Sequence, residues 1–227
     1  MLPGDGIGPE VARQGTIILE RVGQEFDHKF NIDFDEIGGV AIDKLGTALP
    51  ESALSKSKSS DAVFLAAVGG PKWDKPGADI RPEDGLLALR KGLNLFSNMR
   101  PVKTYPELIN SSPLKREIMK DVDLLVIREL TGGLYFGKPK RRWETKSGRK
   151  AVDTMSYSEK EISRILKVGF EAAMRRSKRL TSVDKANVLA TSRLWRDIAI
   201  ELAPEYPDVE LEHMLVDTCS MRIVDDP

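Results

Sequence analysis

Apolar residues along this chain recur with two periods that alternate. Behind Pro9 and Glu10, residues Val11, Ile18, Leu19, Val22 and Phe26 repeat at helical spacing. A proline in the first turn beside an acid suits a helix start. "KFNIDFDEI" then shifts to period two, with Phe30, Ile32 and Phe34 against Asn31, Asp33 and Asp35, and predicts a half-buried strand over 29–37. "SALSKSKSS" reads as the polar tail of a surface helix. The unbroken run "DAVFLAAVGG" predicts a strand covered on both faces and closed by Gly69-Gly70.

Residues 71–82, with their prolines, glycine and charges, predict a loop. "EDGLLALRKG" predicts a short helix, and "LFSNMRPVKTY" extended chain around Pro101. "DVDLLVIREL" predicts a second buried strand, stopped at Gly132-Gly133. "YFGKPKRRWETKSGRKAVDTMSYS" holds so many charges and so few apolar groups that it should project from the body. Ser158, with Glu161 three positions on, forms a capping box for a helix whose buried side would be Ile162, Ile165, Val168 and Ala172. A strand and turn ("RLTSVDKANV"), a helix ("SRLWRDIAIELA") and a strand ("DVELEHMLVDT") complete the series. Alternating strands and helices predict an α/β fold. A shift in composition between residues 98 and 106 divides it into a first domain, 1–99, and a second, 100–227.

Composition narrows the function classes. Lys plus Arg and Asp plus Glu balance at 35 each in 227 residues, so the total charge gives no reason to expect nucleic acid or an anionic membrane as partner. A localised basic pocket stays compatible with that total. The single cysteine, Cys219, rules out an intrachain disulfide and a thiolate zinc site, and is expected to be buried. That usage fits a reducing, cytoplasmic setting. No apolar run approaches the ~18 residues of a membrane span, and the first residues carry no secretory leader pattern. His28 and His213 belong to no motif.

Chemistry concentrates at the ends of the apolar runs. If "RPEDGLLALR" is helical, Glu83, Leu86 and Arg90 share one face. A carboxylate, a hydrocarbon branch and a guanidinium in one stripe suit a ligand that is part anion and part hydrocarbon. The same spacing also describes an ordinary packing helix. Arg100 in "NMRP" and Arg128 in "LLVIREL" interrupt apolar stretches. Arg128 requires either a ligand or an ion pair, with Glu129 or Asp123 as partner. Lys185, Tyr135 and Asp217 each follow a strand end, where open α/β sheets place ligands. A lysine held near arginines gives up its proton more readily, which makes Lys185 a candidate base.

Taken together, "LPGDGIGPEV", "GGPKWD", "IRPEDGLLALRK", "RELTGGLYFG" and "SVDKANVL", in this order, resemble the isocitrate/isopropylmalate dehydrogenase family of metal-dependent β-decarboxylating dehydrogenases. The resemblance implies that family's two-domain α/β fold, which is not a Rossmann fold; "GDGIGPE" also lacks the GxGxxG spacing. It implies NAD-dependent oxidative decarboxylation of 3-isopropylmalate to 2-oxoisocaproate, a step of leucine biosynthesis, with Mg²⁺ or Mn²⁺. By the same resemblance Arg90, Arg100 and Arg128 hold the malate carboxylates and Leu86 meets the isopropyl group. Tyr135 and Lys185 form the acid–base pair, and Asp217 binds metal and substrate. Ile7, Gly70, Glu83 and Asn187 line the cofactor cleft.

The first domain becomes the cofactor side. The second becomes the substrate, metal and dimer side, with a projecting arm near 137–156, and the implied assembly is a homodimer with shared active sites. Nucleic acid and membrane are not expected as partners. Measured against the family pattern, the chain reads as truncated at both ends, the fold as incomplete and the chain itself as an inactive fragment with exposed strand edges. Two other readings accompany this one: a relative acting on isocitrate, homoisocitrate or tartrate, and a non-catalytic fragment that only pairs.

Overall fold

The computed structural model describes residues 1–75 and 78–227, so positions 76 and 77 of the expected loop lie outside the described residues. The chain forms two compact units, Met1–Leu95 and Phe96–Pro227. Elements of both types alternate through each, in agreement with the α/β expectation.

The first unit contains β1 (Leu2–Gly4), α1 (Gly8–Phe26), α2 (Gly39–Leu45), α3 (Glu51–Ser59), β2 (Leu65–Ala67) and α4 (Pro82–Gly92). Strands β1 and β2 pair in parallel, Leu2 opposite Leu65 and Gly4 opposite Ala67. Leu2, Ile37, Ala53 and Leu89 form the core beside them. Helix α1 approaches through its small residues. Ala12 is buried, and a Cβ on Gly15 would stand 2.7 Å from the Phe64 ring. The apolar stripe Val11, Ile18, Val22 and Phe26 therefore points outward, with Phe26 66% exposed.

Two strand expectations fail here. Residues 28–37 form no strand; alongside 29–37 only Met1 bonds backbone to backbone among the described residues, its amine donating to the Asp33 carbonyl (2.8 Å) and its carbonyl accepting from Asp35 N–H (3.2 Å). One residue alongside does not make a ladder, and Phe30 and Phe34 remain exposed. The run over 61–70 contributes only three strand residues, all half-buried, because a single strand flanks it.

The second unit contains β3 (Ser97–Lys103), α5 (Arg116–Met119), β4 (Asp123–Glu129), β5 (Arg141–Thr145), β6 (Gly148–Val152), α6 (Glu159–Met174), β7 (Arg179–Asp184), α7 (Ala190–Leu202), β8 (Glu210–Leu215) and α8 (Val216–Asp225). Strands β3 and β4 run antiparallel through seven pairs, from Ser97 opposite Glu129 to Lys103 opposite Asp123. Pro101 fits in β3 because it needs no donor on the unpaired side. Strands β5 and β6 form an antiparallel hairpin, with Trp143 opposite Lys150, within the segment 137–156. Strands β7 and β8 pair in parallel, ending with Asp184 opposite Leu215.

The core of this unit lies where α6 and α7 cover β7 and β8. Ile162, Leu166, Phe170 and Ala173 meet Ile198, Ala199 and Leu202, and Phe170 stacks on Tyr206 at 4.7 Å. The capping box forms: Ser158 N–H donates to Glu161 Oε2 (2.7 Å) and Glu161 N–H to Ser158 Oγ (3.3 Å). The buried side of α6 is wider than its spacing suggested. Leu166, Gly169, Phe170 and Ala173 lie inside, whereas Val168 and Ala172 are only half-buried. Helix α6 touches β4, β7 and α7, and three neighbours need more than one stripe.

Strand β4 is also not fully buried. It alternates, with Glu129 buried and Val126 and Arg128 exposed, since α6 covers one face only. Strand β8 stops at Leu215, which places Asp217 in the first turn of α8 rather than in a strand.

Candidate active site

In the first unit a buried carboxylate gathers the loops that carry the expected cofactor residues. Asp5 is 3% exposed and accepts from Gly39 N–H (2.7 Å), Val40 N–H (2.7 Å) and Gly69 N–H (2.8 Å). Three backbone donors replace the water that a buried carboxylate would otherwise lack. The opening glycines serve this close packing. A Cβ on Gly4, whose φ is +70°, would stand 1.8 Å from the Ala67 carbonyl oxygen, and one on Gly8 would stand 2.0 Å from that of Pro3. Trp73 lies flat against the same turns; its ring atoms come within 2.2 Å of a Cβ on Gly39 and 3.4 Å of one on Gly70.

Glu83 Oε1 reaches 2.9 Å from a Cβ on Gly69, so Glu83 and the Gly69-Gly70 turn are neighbours. Ile7 precedes α1 and is 62% exposed. The face of α4 that packs is Pro82, Gly85 and Leu89, all buried, with Gly85 pressed on the Ala48 carbonyl. Glu83, Leu86 and Arg90 form the adjacent line, exposed at Glu83 and half-buried at the other two. The packing duty that the stripe could have served is carried by its neighbours.

In the second unit the β3–β4 register sets Asn98 opposite Arg128 and Arg100 opposite Val126. Arg100 and Arg128 are thus diagonal neighbours on one face, within reach of long side chains. Arg100 Nε donates to Asn98 Oδ1 at 2.5 Å, and the Arg128 guanidinium stands 5.3 Å from the centre of the Tyr135 ring. Neither expected ion pair of Arg128 exists. Asp123 is taken by Arg176 (2.6 Å), which holds its carboxyl below the usual range, and Glu129 by Arg164 (2.8 Å).

The buried charge at this strand end is Glu129, not Arg128. Its carboxylate also accepts from Thr131 N–H (2.9 Å) and Gly132 N–H (2.7 Å) and so sets the turn that leads to Tyr135. Gly132 and Gly133 leave room there for the Tyr157 side chain, whose ring would lie 2.7 Å from a Cβ on Gly132 and whose hydroxyl 2.4 Å from one on Gly133. Burial raises the Tyr157 phenol above its ordinary value, and its ring meets Trp195 edge-on at 5.7 Å.

The parallel β7–β8 pairing brings Lys185 and Asp217 together just past the two strand ends. Lys185 Nζ donates to Asp217 Oδ1 at 2.5 Å, and this bond holds the Asp217 carboxyl below its ordinary value. The ion-pair partner of Lys185 is therefore an anion, where the sequence suggested arginines. The turn between them hangs on Asp184, buried, which receives Arg196 through two bonds of 2.9 Å and Ala186 N–H at 2.8 Å. Asn187 is exposed on this turn. Cys219 is half-buried rather than buried.

Asp217 offers a hard oxygen ligand suited to Mg²⁺ or Mn²⁺. No three His, Cys, Asp or Glu side chains gather into a metal site among the described residues. Asp5, Glu129 with Arg164, and Asp184 with Arg196 were missed by sequence reasoning. The usable signal was an arginine inside an otherwise apolar helix face, as Arg164 between Ile162 and Ile165.

The isocitrate/isopropylmalate dehydrogenase family model matches residues 1–227. The chain belongs to this family. Among relatives of the isocitrate/isopropylmalate dehydrogenase family, the 3-isopropylmalate dehydrogenase of Dehalococcoides mccartyi is 58% identical over 225 residues, covering 99% of this chain and 62% of the relative. That of Bacillus subtilis is 51% identical, with the same coverage of both chains. This chain thus spans about 62% of the length of the curated relatives it matches.

Solved structures place the fold in the same family. The isocitrate dehydrogenase from Methylococcus capsulatus superposes with a TM-score of 0.82 at 30% identity, over 98% of this chain and 61% of that one. A β-decarboxylating dehydrogenase from Thermococcus kodakarensis gives 0.69 at 28%, over 100% of this chain and 60% of that one.

Proposed function

We propose that this chain belongs to an NAD-dependent 3-isopropylmalate dehydrogenase of leucine biosynthesis and carries its substrate-holding and proton-moving groups. The observation that supports this most directly is the open face of β3–β4, where Arg100 and Arg128 are diagonal neighbours and Tyr135 lies under Arg128. Guanidinium forks match carboxylates, and a second turned toward the same ligand adds orientation as well as charge.

In this reading the first unit is the cofactor side, with Ile7, Gly70 and Glu83 toward the nicotinamide; its Leu86 takes the isopropyl group and its Arg90 a carboxylate. In the second unit Arg100 and Arg128 take the carboxylates, and Asn187 touches the cofactor. Lys185 accepts the hydroxyl proton as the carbinol hydride leaves. After CO₂ departs, Tyr135 O–H delivers a proton to the former β-carbon. Asp217 contributes an oxygen to the metal and orients the substrate hydroxyl beside Lys185. Bound NAD supplies the hydride acceptor and bound Mg²⁺ or Mn²⁺ the Lewis acid. The assembly is a cytoplasmic homodimer sharing its sites, joined through the β5–β6 arm and α6.

Calorimetric titration with 3-isopropylmalate in the presence of Mn²⁺ tests this. Heat that disappears in Arg128→Ala and is much reduced with isocitrate supports the reading. Absence of heat with the unmodified chain sinks it for this polypeptide. Preference for isocitrate would transfer it to the relative that acts on a third carboxylate, which Leu86 disfavours because an added charge there has no polar partner.

A further inference from the structure

Tyr135, the proton donor of the proposed reaction, sits on a short turn, Gly133–Tyr135, with its side chain exposed. A single turn of this tight kind closes little backbone and does not hold its own place. Gly133 adds freedom, since its φ of +75° is one that glycine enters and leaves at little steric cost. Glu129 fixes only the entry, through Thr131 and Gly132 N–H.

The remaining support comes from the segment that leads into α6. Gly133 N–H donates to the Ser156 carbonyl at 2.8 Å, and a Cβ on Gly137 would stand 1.9 Å from the Thr154 carbonyl oxygen. Between these two ties lies Tyr157, whose ring and hydroxyl fill the space that side chains on Gly132 and Gly133 would take. Tyr157 is itself backed. It packs against the α6–α7 core and meets Trp195 edge-on, and Trp195 Nε1–H donates to Ser182 Oγ in β7 at 3.2 Å. A planar ring seated on a close-packed core and pressed into a glycine turn acts as a wedge.

We propose that Tyr157 is a positioning residue for Tyr135, its ring holding the Gly132–Gly133 turn at the height that sets the phenol beside Arg128. The inference rests on the reading of Tyr135 as the proton donor. Proton transfer needs the donor within hydrogen-bond reach, and a misplacement of about 1 Å is enough to slow it severely. Arg100 and Arg128 are placed separately, by the β3–β4 pairing. Losing the wedge should therefore move the donor and leave the carboxylate forks where they are.

The test reads the Arg128 Nε–H resonance of the full chain by heteronuclear NMR, because the Tyr135 ring, 5.3 Å from that guanidinium, displaces it. Tyr135→Ala gives the signal with no ring beside it. Tyr157→Leu should carry the signal more than half-way to that position, and Tyr157→Phe should leave it in place. Exchange of the Gly133 and Gly137 amide hydrogens should quicken at least about tenfold in Tyr157→Leu. Gly132 has an extended backbone open to alanine, φ −108°, so Gly132→Ala presses a methyl onto the ring from the turn side. It should shift the signal too, and combined with Tyr157→Leu should give less than the sum of the two changes. This second variant makes the answer independent of whether Tyr157→Leu folds.

Phe170→Leu, in the core of α6, is the control for general loosening: it should lower the melting temperature and leave the Arg128 signal unmoved. The proposal is overturned by a folded Tyr157→Leu chain with an unchanged signal, by a Tyr157→Phe chain that behaves like it, by Gly132→Ala without effect, or by an equal shift in Phe170→Leu. No substrate enters these measurements. Absence of heat with 3-isopropylmalate would sink the dehydrogenase reading, and an unmoved Arg128 signal would sink this one.

Discussion

Each unit buries a carboxylate at the end of a strand and uses it to fix a loop, but they satisfy that charge in different ways. Asp5 in the first unit relies on three backbone N–H groups from two separate segments. Glu129 and Asp184 in the second each combine nearby backbone N–H groups with a guanidinium from a covering helix. Arg164 and Arg196 keep about a third of their side chains in solvent, 32% and 33%. A guanidinium released from its partner can therefore turn to water. Backbone N–H groups cannot, and this asymmetry makes the first unit the more brittle of the two.

Substitutions test that difference in order of size. Asp5→Ala leaves three donors without an acceptor and should destabilise the first unit by about 3–5 kcal/mol. Urea unfolding, with hydrogen exchange at Gly39, Val40 and Gly69, would measure it. Asp184→Ala and Glu129→Ala should each cost less, about 2 kcal/mol, because their arginines rehydrate. Losses as large as that of Asp5→Ala would erase the contrast.

His213 should matter less than either. Burial first, then the Arg196 charge, lower its imidazole pKa below the ordinary 6.5, against an opposing pull from Asp184. A depressed folded-state pKa means the unfolded chain takes up the proton more readily. Its contribution is therefore complete above about pH 6.5 and is lost as pH falls through the folded value. His213→Gln should flatten the pH dependence of the melting temperature across that acidic window.

The smallest effect is expected at Arg100 and Arg128. Being exposed and free of ion pairs among the described residues, each should change stability by no more than about 0.5 kcal/mol on replacement by alanine. Binding of 3-isopropylmalate should be lost all the same. A large stability loss would recast them as structural.

Much of the second unit was legible in the sequence because its signals are local. The capping box at Ser158 and the turn after Asp184 depend on neighbours in the chain, and so does the arm, whose polarity kept it out of any core. In the first unit the same reasoning misassigned 29–37, whose alternation is right for a strand but whose backbone, among the described residues, has only Met1 to pair with. The apolar stripe of α1 misled in a similar way, since the surface that packs is made of Ala12, Gly15 and Gly23. Small residues leave little hydrophobic signal. At the site, chemistry-bearing residue types could be picked out one by one. Asp5, Glu129 and Asp184 could not, because a buried acid and an exposed one look alike until the donors around them are known.

The alternation along β4 has one more effect. Arg128 and Glu129 are adjacent and point to opposite sides of a two-stranded ribbon whose seven pairs fix its alignment. A slip of β4 by a single residue would turn Arg128 onto the underside of α6 and thrust the acid that anchors Arg164 into water. No intermediate alignment satisfies either group. The ribbon is held to one setting by the penalty for burying the wrong charge, and the spacing of its two forks is inherited from that choice.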